Sequence, residues 1–309
     1  MSQSPRLIDA AATRAALPMP KLVDALRAAF VAGAETPLRH RHALPEGASL
    51  LLMPSWQGRA ALGVKIVTVF PGNGARGLNA VSSTYLLCDG ETGQHLAIID
   101  GNEITGRRTA AASALAGHYL ARADASRLLI VGSGHVAGMM AEAWAAVRPI
   151  SQITVWNVRR AGAERLAAQL QLAGFNAAAT EDLEAAVQNA DIVSCATLSQ
   201  TPLVRGAWLR PGTHVDLVGA YMPTMREADD DAVRMARVFI DTDAALAEAG
   251  DIVQPLAAGV IGQDAIAGTL FSLCRGEAQG RRDATEITLF KSVGSAIEDL
   301  AAASLVAGG

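Results

Sequence analysis

Apolar and polar positions change rhythm along this chain. Between about residues 50 and 100 they form short runs, LLMPS, LGVKIVTVF, STYLLCD and HLAIID, parted by the turn-rich segments PGNGARG and DGETGQ. Short apolar runs bounded by glycine, asparagine and aspartate predict strands joined by tight turns, and so an antiparallel sheet. From Arg127 the pattern becomes an alternation of strand and helix. RLLIV, ITVW, DIVSCAT, HVDLVG and RVFIDT read as strands, whereas VAGMMAEAWAAV, AGAERLAAQLQLAG and EDLEAAVQNA have helical spacing. Such alternation predicts a parallel sheet covered by helices. Between the two regions, Thr105 to Ala121 is rich in alanine and reads as a connecting helix. The tail ATEITLFKSVGSAIEDLAAASLVAGG holds one short strand and one helix, too little to fold alone, and is expected to pack on the first region. The fold class is therefore α/β: an α+β domain from residues 1–121 with 285–309, and a parallel α/β domain over 122–284.

The turn after RLLIV sharpens this picture. It reads GSGHVA, the G-x-G-x-x-A form with Gly132, Gly134 and Ala137, between an apolar strand and a helix-compatible run. This arrangement sets a dinucleotide pyrophosphate on a helix N-terminus, so the second region reads as a Rossmann domain binding NAD(P). The cofactor type is decided at the end of the next strand, where an NAD enzyme places an acidic residue. Here the chain has WNVRR. Asn157 does not repel a 2′-phosphate, and Arg159 or Arg160 offers it charge-assisted hydrogen bonds, so NADP(H) is favoured with NAD(H) as the alternative. The other reading of both arginines is a solvated helix start.

Composition excludes more than it identifies. The chain has 309 residues, half of them hydrophobic and 18% charged, enough for about two compact domains. A net charge of −4 leaves no basic footprint for nucleic acid. No apolar run reaches the length of a membrane helix and the N-terminus lacks a signal-peptide core, which predicts a cytoplasmic protein with no membrane partner. Cys88, Cys195 and Cys274 are scattered, and His40 and His42 have no further ligand at metal spacing, so no metal is expected. Two features point to an anionic ligand. Arg107 and Arg108 stand near the start of the connecting helix; they are either simply solvated or placed to catch an anion where backbone N–H groups and guanidinium donors converge. Lys65 interrupts the apolar GVKIVTVF; it either faces outward on an alternating strand or is a buried cation with a purpose.

The segments GVKIVTVFPGN, IIDGNEITGRRTAAASALA, LLIVGSGHVA, VGAYMPTMRE, EAGDI and LFKSVGSAIEDLAAA occur in this order. Together they resemble the ornithine cyclodeaminase and mu-crystallin family, over about Arg41 to Ala303. The resemblance implies that Arg41, Lys65 and Arg108 bind the α-carboxylate of a small amino or imino acid. It implies that Thr84 and Arg108 act at the cofactor, with Gly132 to Val136, including His135, on the pyrophosphate. Asn157 then marks the ribose and Thr197 and Leu198 the following loop. Val218, Gly219, Ser292 and Val293 lie near the nicotinamide, with Val293 also toward substrate. Members of this family pair as homodimers through their first domains.

One departure matters. Ornithine cyclodeaminases carry a catalytic aspartate after the VGA segment, where this chain has Tyr221. An unperturbed phenol is not a ready base at neutral pH, but hydride transfer between a nicotinamide and a C=N carbon does not need that carboxylate. The expected activity is therefore NAD(P)H-dependent reduction of a cyclic imino acid or ketimine, or the reverse amino-acid dehydrogenation, with Lys65 and Tyr221 as catalytic candidates. The alternatives are an ornithine or lysine cyclodeaminase and a non-catalytic, crystallin-like NADPH-binding protein.

Overall fold

The computed structural model describes residues 4–308 and divides the chain into two units, Met1–Arg108 with Ser295–Gly309, and Thr109–Gly294. The first unit is built on a six-stranded sheet. Its strands are β1 (Arg6–Ile8), β2 (His40–Ala43), β3 (Ser49–Gln57), β4 (Ala61–Val69), β5 (Val81–Asp89) and β6 (His95–Asp100), in the order β1-β6-β5-β4-β3-β2. From β2 to β6 every pairing is antiparallel, as the turn-bounded runs predict; β1 adds a parallel edge to β6. Two N-terminal helices, α1 (Ala10–Ala16) and α2 (Met19–Ala32), belong to this unit, as do the first turns of α3 (Gly101–Leu120) and all of α11 (Ala296–Gly308). In α2 the buried residues Met19, Leu22, Val23, Leu26 and Phe30 repeat at helical spacing and supply one face of the core.

The second unit holds eight parallel strands. They are β7 (Arg127–Val131), β8 (Gln152–Trp156), β9 (Ala177–Thr180), β10 (Ile192–Cys195), β11 (His214–Leu217), β12 (Arg237–Ile240), β13 (Ile266–Thr269) and β14 (Thr288–Lys291). Their order is β13-β12-β14-β11-β10-β7-β8-β9. The helices between them are α4 (Ala137–Ala145), α5 (Arg160–Leu172), α6 (Leu183–Asn189), α7 (Asp230–Met235), α8 (Ala245–Glu248), α9 (Gly250–Ala257) and α10 (Leu270–Cys274). Strand order reverses at β7, with β8 on one side and β10 on the other. In open parallel sheets this is the place where ligands bind, at the carboxyl ends of the strands. Strands β7, β10, β11 and β14 are buried almost throughout, as sheet strands covered on both faces must be.

Both expected boundaries shift. The connecting helix starts at Gly101, not Thr105, and its later turns pack within the second unit, where Gly117 lets the Trp144 ring approach so closely that a Cβ would lie 2.1 Å from it. The strand ITLFK does not return to the first unit. It is β14, inserted between β11 and β12 of the parallel sheet, and the chain changes units at Gly294. Four residues, TLFK, fit either sheet; only the neighbouring strands decide between them. Among the described residues no helix is long and apolar enough to cross a membrane.

Candidate functional site

In the second unit, five loops follow the carboxyl ends of adjacent strands. Asn157, Arg159 and Arg160 follow β8; Gly132 to Val136 follow β7; Thr197 and Leu198 follow β10; Val218 and Gly219 follow β11; Ser292 and Val293 follow β14. Residues far apart in sequence are thus arrayed along one edge of the sheet. The glycine turn has the geometry its motif predicts. Gly132 has φ 115, in the left-handed region, and a Cβ there would lie 2.6 Å from the Ala196 carbonyl oxygen. Gly134 faces open space, and α4 begins at Ala137, so the helix N-terminus is presented beside an unobstructed glycine. That cradle fits a pyrophosphate. Gly162, in the first turn of α5, is a further small residue the motif does not include. A Cβ there would press on Ser133 Oγ and Asn157 Nδ2, at 2.5 and 2.7 Å.

At WNVRR the two arginines differ. Asn157 Nδ2 donates to the Arg159 carbonyl, and Arg159 N-caps α5. Arg160 is already paired, Nε with Glu164 at 2.7 Å and Nη1 with Glu181 at 3.0 Å, and these carboxylates raise its pKa. Tyr221 lies two residues past Gly219 and is 38% exposed; Leu198 is 65% exposed.

Beneath these loops lies a group that reading the sequence missed. The fully buried Glu227 accepts four hydrogen bonds: at Oε1 from Thr197 N (2.7 Å) and Oγ1 (2.8 Å), and at Oε2 from Gly219 N (2.9 Å) and Ala220 N (3.2 Å). One carboxylate thereby ties the loop after β10 to the loop after β11. Asp251 accepts from Glu227 N and Ala228 N, and Lys291 Nζ stands 3.0 Å from Asp251 Oδ2 and 3.8 Å from Glu227 Oε2. Burial pushes the Glu227 carboxyl up to about 7, against the pull of Lys291. Asp241 performs the same service for the last loop, accepting from Val293 N (2.8 Å) and Gly294 N (2.7 Å).

In the first unit, register decides which candidates share a face. Met53, Lys65, Tyr85 and Ile99 pair across β3, β4, β5 and β6, and form one row on the covered face. Arg41 pairs with Leu51, which pairs with Val67, so Arg41 and Lys65 lie on the same side of the sheet, Arg41 on the exposed edge strand. Thr84 pairs with Ile66 and Asp100 and lies on the opposite, open side. It is Ser83 and Tyr85, not Thr84, that share the face of Lys65, because side chains alternate along a strand.

Lys65 is 2% exposed and does not point outward. Its Nζ lies 2.8 Å from Asp299 Oδ1 and 2.7 Å from Oδ2. Arg108 donates from Nε to Asp299 Oδ1 (2.9 Å) and from Nη1 to Glu298 Oε2 (2.6 Å). Arg107 instead donates to the Leu17 carbonyl, 2.7 Å away. Since α3 begins at Gly101, both arginines stand two turns inside the helix, and the expected convergence with terminal N–H groups does not occur. Burial lowers the Lys65 pKa to about 8, with Asp299 holding it up. Burial also opposes the Arg108 charge, but Asp299 and Glu298 together outweigh it and raise its pKa. The expected trio of bare cations is thus a cluster in which two cations meet two carboxylates. The sequence does carry the signal: of the three lysines in the chain, Lys21, Lys65 and Lys291, two sit inside apolar runs, GVKIV and LFKSV, where an ammonium demands a buried partner.

The model of the ornithine cyclodeaminase/mu-crystallin family matches residues 7–308, and the chain belongs to that family. It is 40% identical over 283 residues to the Delta(1)-pyrroline-2-carboxylate reductase of Paracoccus denitrificans, spanning 87% of this chain and 90% of that protein. The structure of Thermococcus litoralis Delta(1)-pyrroline-2-carboxylate reductase in complex with NADH and L-proline is similar with a TM-score of 0.93 at 34% identity, over 98% of this chain and 96% of the other. The iminosuccinate reductase of Paracoccus denitrificans in complex with NAD+ is similar with a TM-score of 0.90 at 28% identity, over 99% and 96%.

Proposed function

We propose that this member of the ornithine cyclodeaminase/mu-crystallin family is an NAD(P)H-dependent imino-acid reductase of the cytoplasm, acting on a cyclic substrate such as pyrroline-2-carboxylate or piperideine-2-carboxylate. Relatives that carry the first of these substrates in their names support the reading. The residue that carries it over a cyclodeaminase is Tyr221, where deamination of ornithine calls for an aspartate.

Gly132 to Val136 would hold the pyrophosphate and Asn157 the ribose; Thr197 and Leu198, in the loop after β10, would also meet the cofactor, and Val218, Gly219 and Ser292 its nicotinamide. When bound, the reduced cofactor supplies the hydride. The chain's own residues do the rest. Arg41, on its exposed strand, has a guanidinium suited to the substrate carboxylate, a planar pair of acceptors. Lys65 and Arg108 are already balanced by Asp299 and Glu298, so they offer oriented N–H donors and not surplus charge. Fixing the carboxylate holds the imine carbon in one orientation, which is where most of the rate gain from positioning arises. In the second unit, Val293 and the Tyr221 hydroxyl are the candidates for the substrate, the latter as proton donor.

On cofactor choice, the neutral Asn157 and the exposed Arg159 favour NADPH. Arg160, engaged by Glu164 and Glu181, adds little, so NADH is accepted as well. The chain acts as a homodimer: the side of the first sheet turned away from α11 carries Pro54, Val64, Ile66, Leu86 and Ile98, an apolar surface suited to a second copy.

Incubating the protein with each imino acid and NADPH or NADH, and following cofactor absorbance, tests the reading. Robust ornithine-dependent ammonia release without imine reduction would replace it with the cyclodeaminase alternative. Cofactor binding without turnover on any imino acid would leave only a binding protein.

A further inference from the structure

Asp299 is the point at which the two buried cations of the first unit meet. Its Oδ1 accepts from Lys65 Nζ and from Arg108 Nε, and its Oδ2 stands within 2.7 Å of the same ammonium. Glu298, its neighbour, pairs with Arg108 Nη1 at 2.6 Å. Both carboxylates lie in the first turn of α11, whose otherwise apolar sequence AIEDLAAASLVAG makes an adjacent buried acidic pair conspicuous. The helix dipole at that end favours negative charge and so opposes part of the cost of burying it. Were α11 only to be fastened to the sheet, apolar residues would serve as well, since replacing a buried ion pair by packed hydrophobic side chains is often neutral or stabilising.

We propose that Asp299 is a positioning residue for the imino-acid site: by bridging Lys65 and Arg108 it fixes where both donors point and keeps the proton on Lys65. This rests on the reductase reading above for its consequence in catalysis, but not for the protonation of Lys65 itself. The charged and titratable groups facing Lys65 are Asp299 and Glu298 from α11, Arg108 from α3 and Tyr85 from β5. Burial raises the Tyr85 phenol well above its ordinary range, so it stays neutral throughout. Burial lowers Lys65 to about 8 while Asp299 holds it up, which brings its loss of charge near neutral pH.

With only three lysines in the chain, Lys65 can be followed directly by NMR of carbon-13-labelled lysine in the full-length protein, its signal identified by its loss in Lys65→Arg. The expected midpoint is near 8 in the unaltered protein. Asp299→Asn should lower it by about one unit or more, and Glu298→Gln should lower it less, because an opposite charge in contact counts for more than one farther away. The alkaline limb of kcat/KM with pyrroline-2-carboxylate should follow the same order, Asp299→Glu should restore the limb even at reduced rate, and NADH affinity should stay unchanged in all. A purely structural ion pair would alter thermal stability and leave the limb where it was. The proposal is overturned if Lys65 titrates at the same pH in Asp299→Asn, or, should that variant not fold, in Asp299→Ser. Normal NMR shifts in a protein that reduces no imino acid would instead refute the reductase reading alone.

Discussion

Gly219→Ala tests the idea that buried carboxylates hold the cofactor-side loops in place. The loop after β11 crosses the loop after β10 so closely that a Cβ on residue 219 would lie 1.9 Å from the Thr197 carbonyl oxygen, 2.2 Å from its nitrogen and 2.6 Å from its carbonyl carbon. These are backbone atoms, so no rotamer change relieves the clash. Restoring ordinary contact at 3.4 Å requires the loops to part by about 1.5 Å. Glu227 cannot follow both, because the same carboxylate accepts from Thr197 N and Gly219 N at 2.7 and 2.9 Å. Overpacking of this kind costs about 1–3 kcal/mol. Losing one hydrogen bond to a charged acceptor adds roughly 1.5–3 kcal/mol. The expected total, about 2.5–6 kcal/mol, is a large part of the 5–15 kcal/mol or so that stabilises a typical domain. Thermal unfolding should show a lowered midpoint, and NADH titration of the folded fraction should show affinity reduced about a hundredfold, since the displaced loop lies on the cofactor edge. A variant with the parent's midpoint and the parent's NADH affinity would refute both the tight crossing and the role assigned to Glu227.

Other substitutions separate binding from folding. Arg41→Ala, on an exposed strand, should leave stability within about 0.5 kcal/mol while lowering turnover of imino acids by orders of magnitude, with NADPH affinity intact; unchanged kinetics would remove Arg41 from the site. Lys65→Ala leaves Asp299 buried beside Arg108 alone, and should lower both turnover and stability, the latter by about 3–5 kcal/mol in a denaturant titration, unlike Arg41→Ala. Arg159→Ala should weaken NADPH binding about tenfold and NADH binding little, whereas Arg160→Ala should change either by less; equal NADPH and NADH affinities in the parent protein would contradict this assignment. Tyr221→Phe should slow imine reduction if the hydroxyl is the proton donor, and an unchanged rate would make Tyr221 a filler of the pocket.

Much of this protein is written in local sequence. Glycine, asparagine and aspartate between short apolar runs set the antiparallel strands β3 to β6, because turn conformations depend on the residues inside them. The alternation from Arg127 set the parallel sheet, and the strand-glycine-helix succession around Gly132 set its pyrophosphate cradle, since both are properties of neighbouring residues. Pairings between distant segments were decided only in three dimensions. Four residues of ITLFK do not say which sheet they join, and neighbouring strands placed them between β11 and β12. The side of the sheet faced by Thr84 depends on its register with Ile66, which a single strand does not encode. The acids that balance Lys65 and Arg108 stand about two hundred residues away, at Glu298 and Asp299. The sequence shows a lysine in an apolar strand and two acids in an apolar helix; burial makes each intolerable alone, and only the tertiary fold brings them within hydrogen-bonding distance.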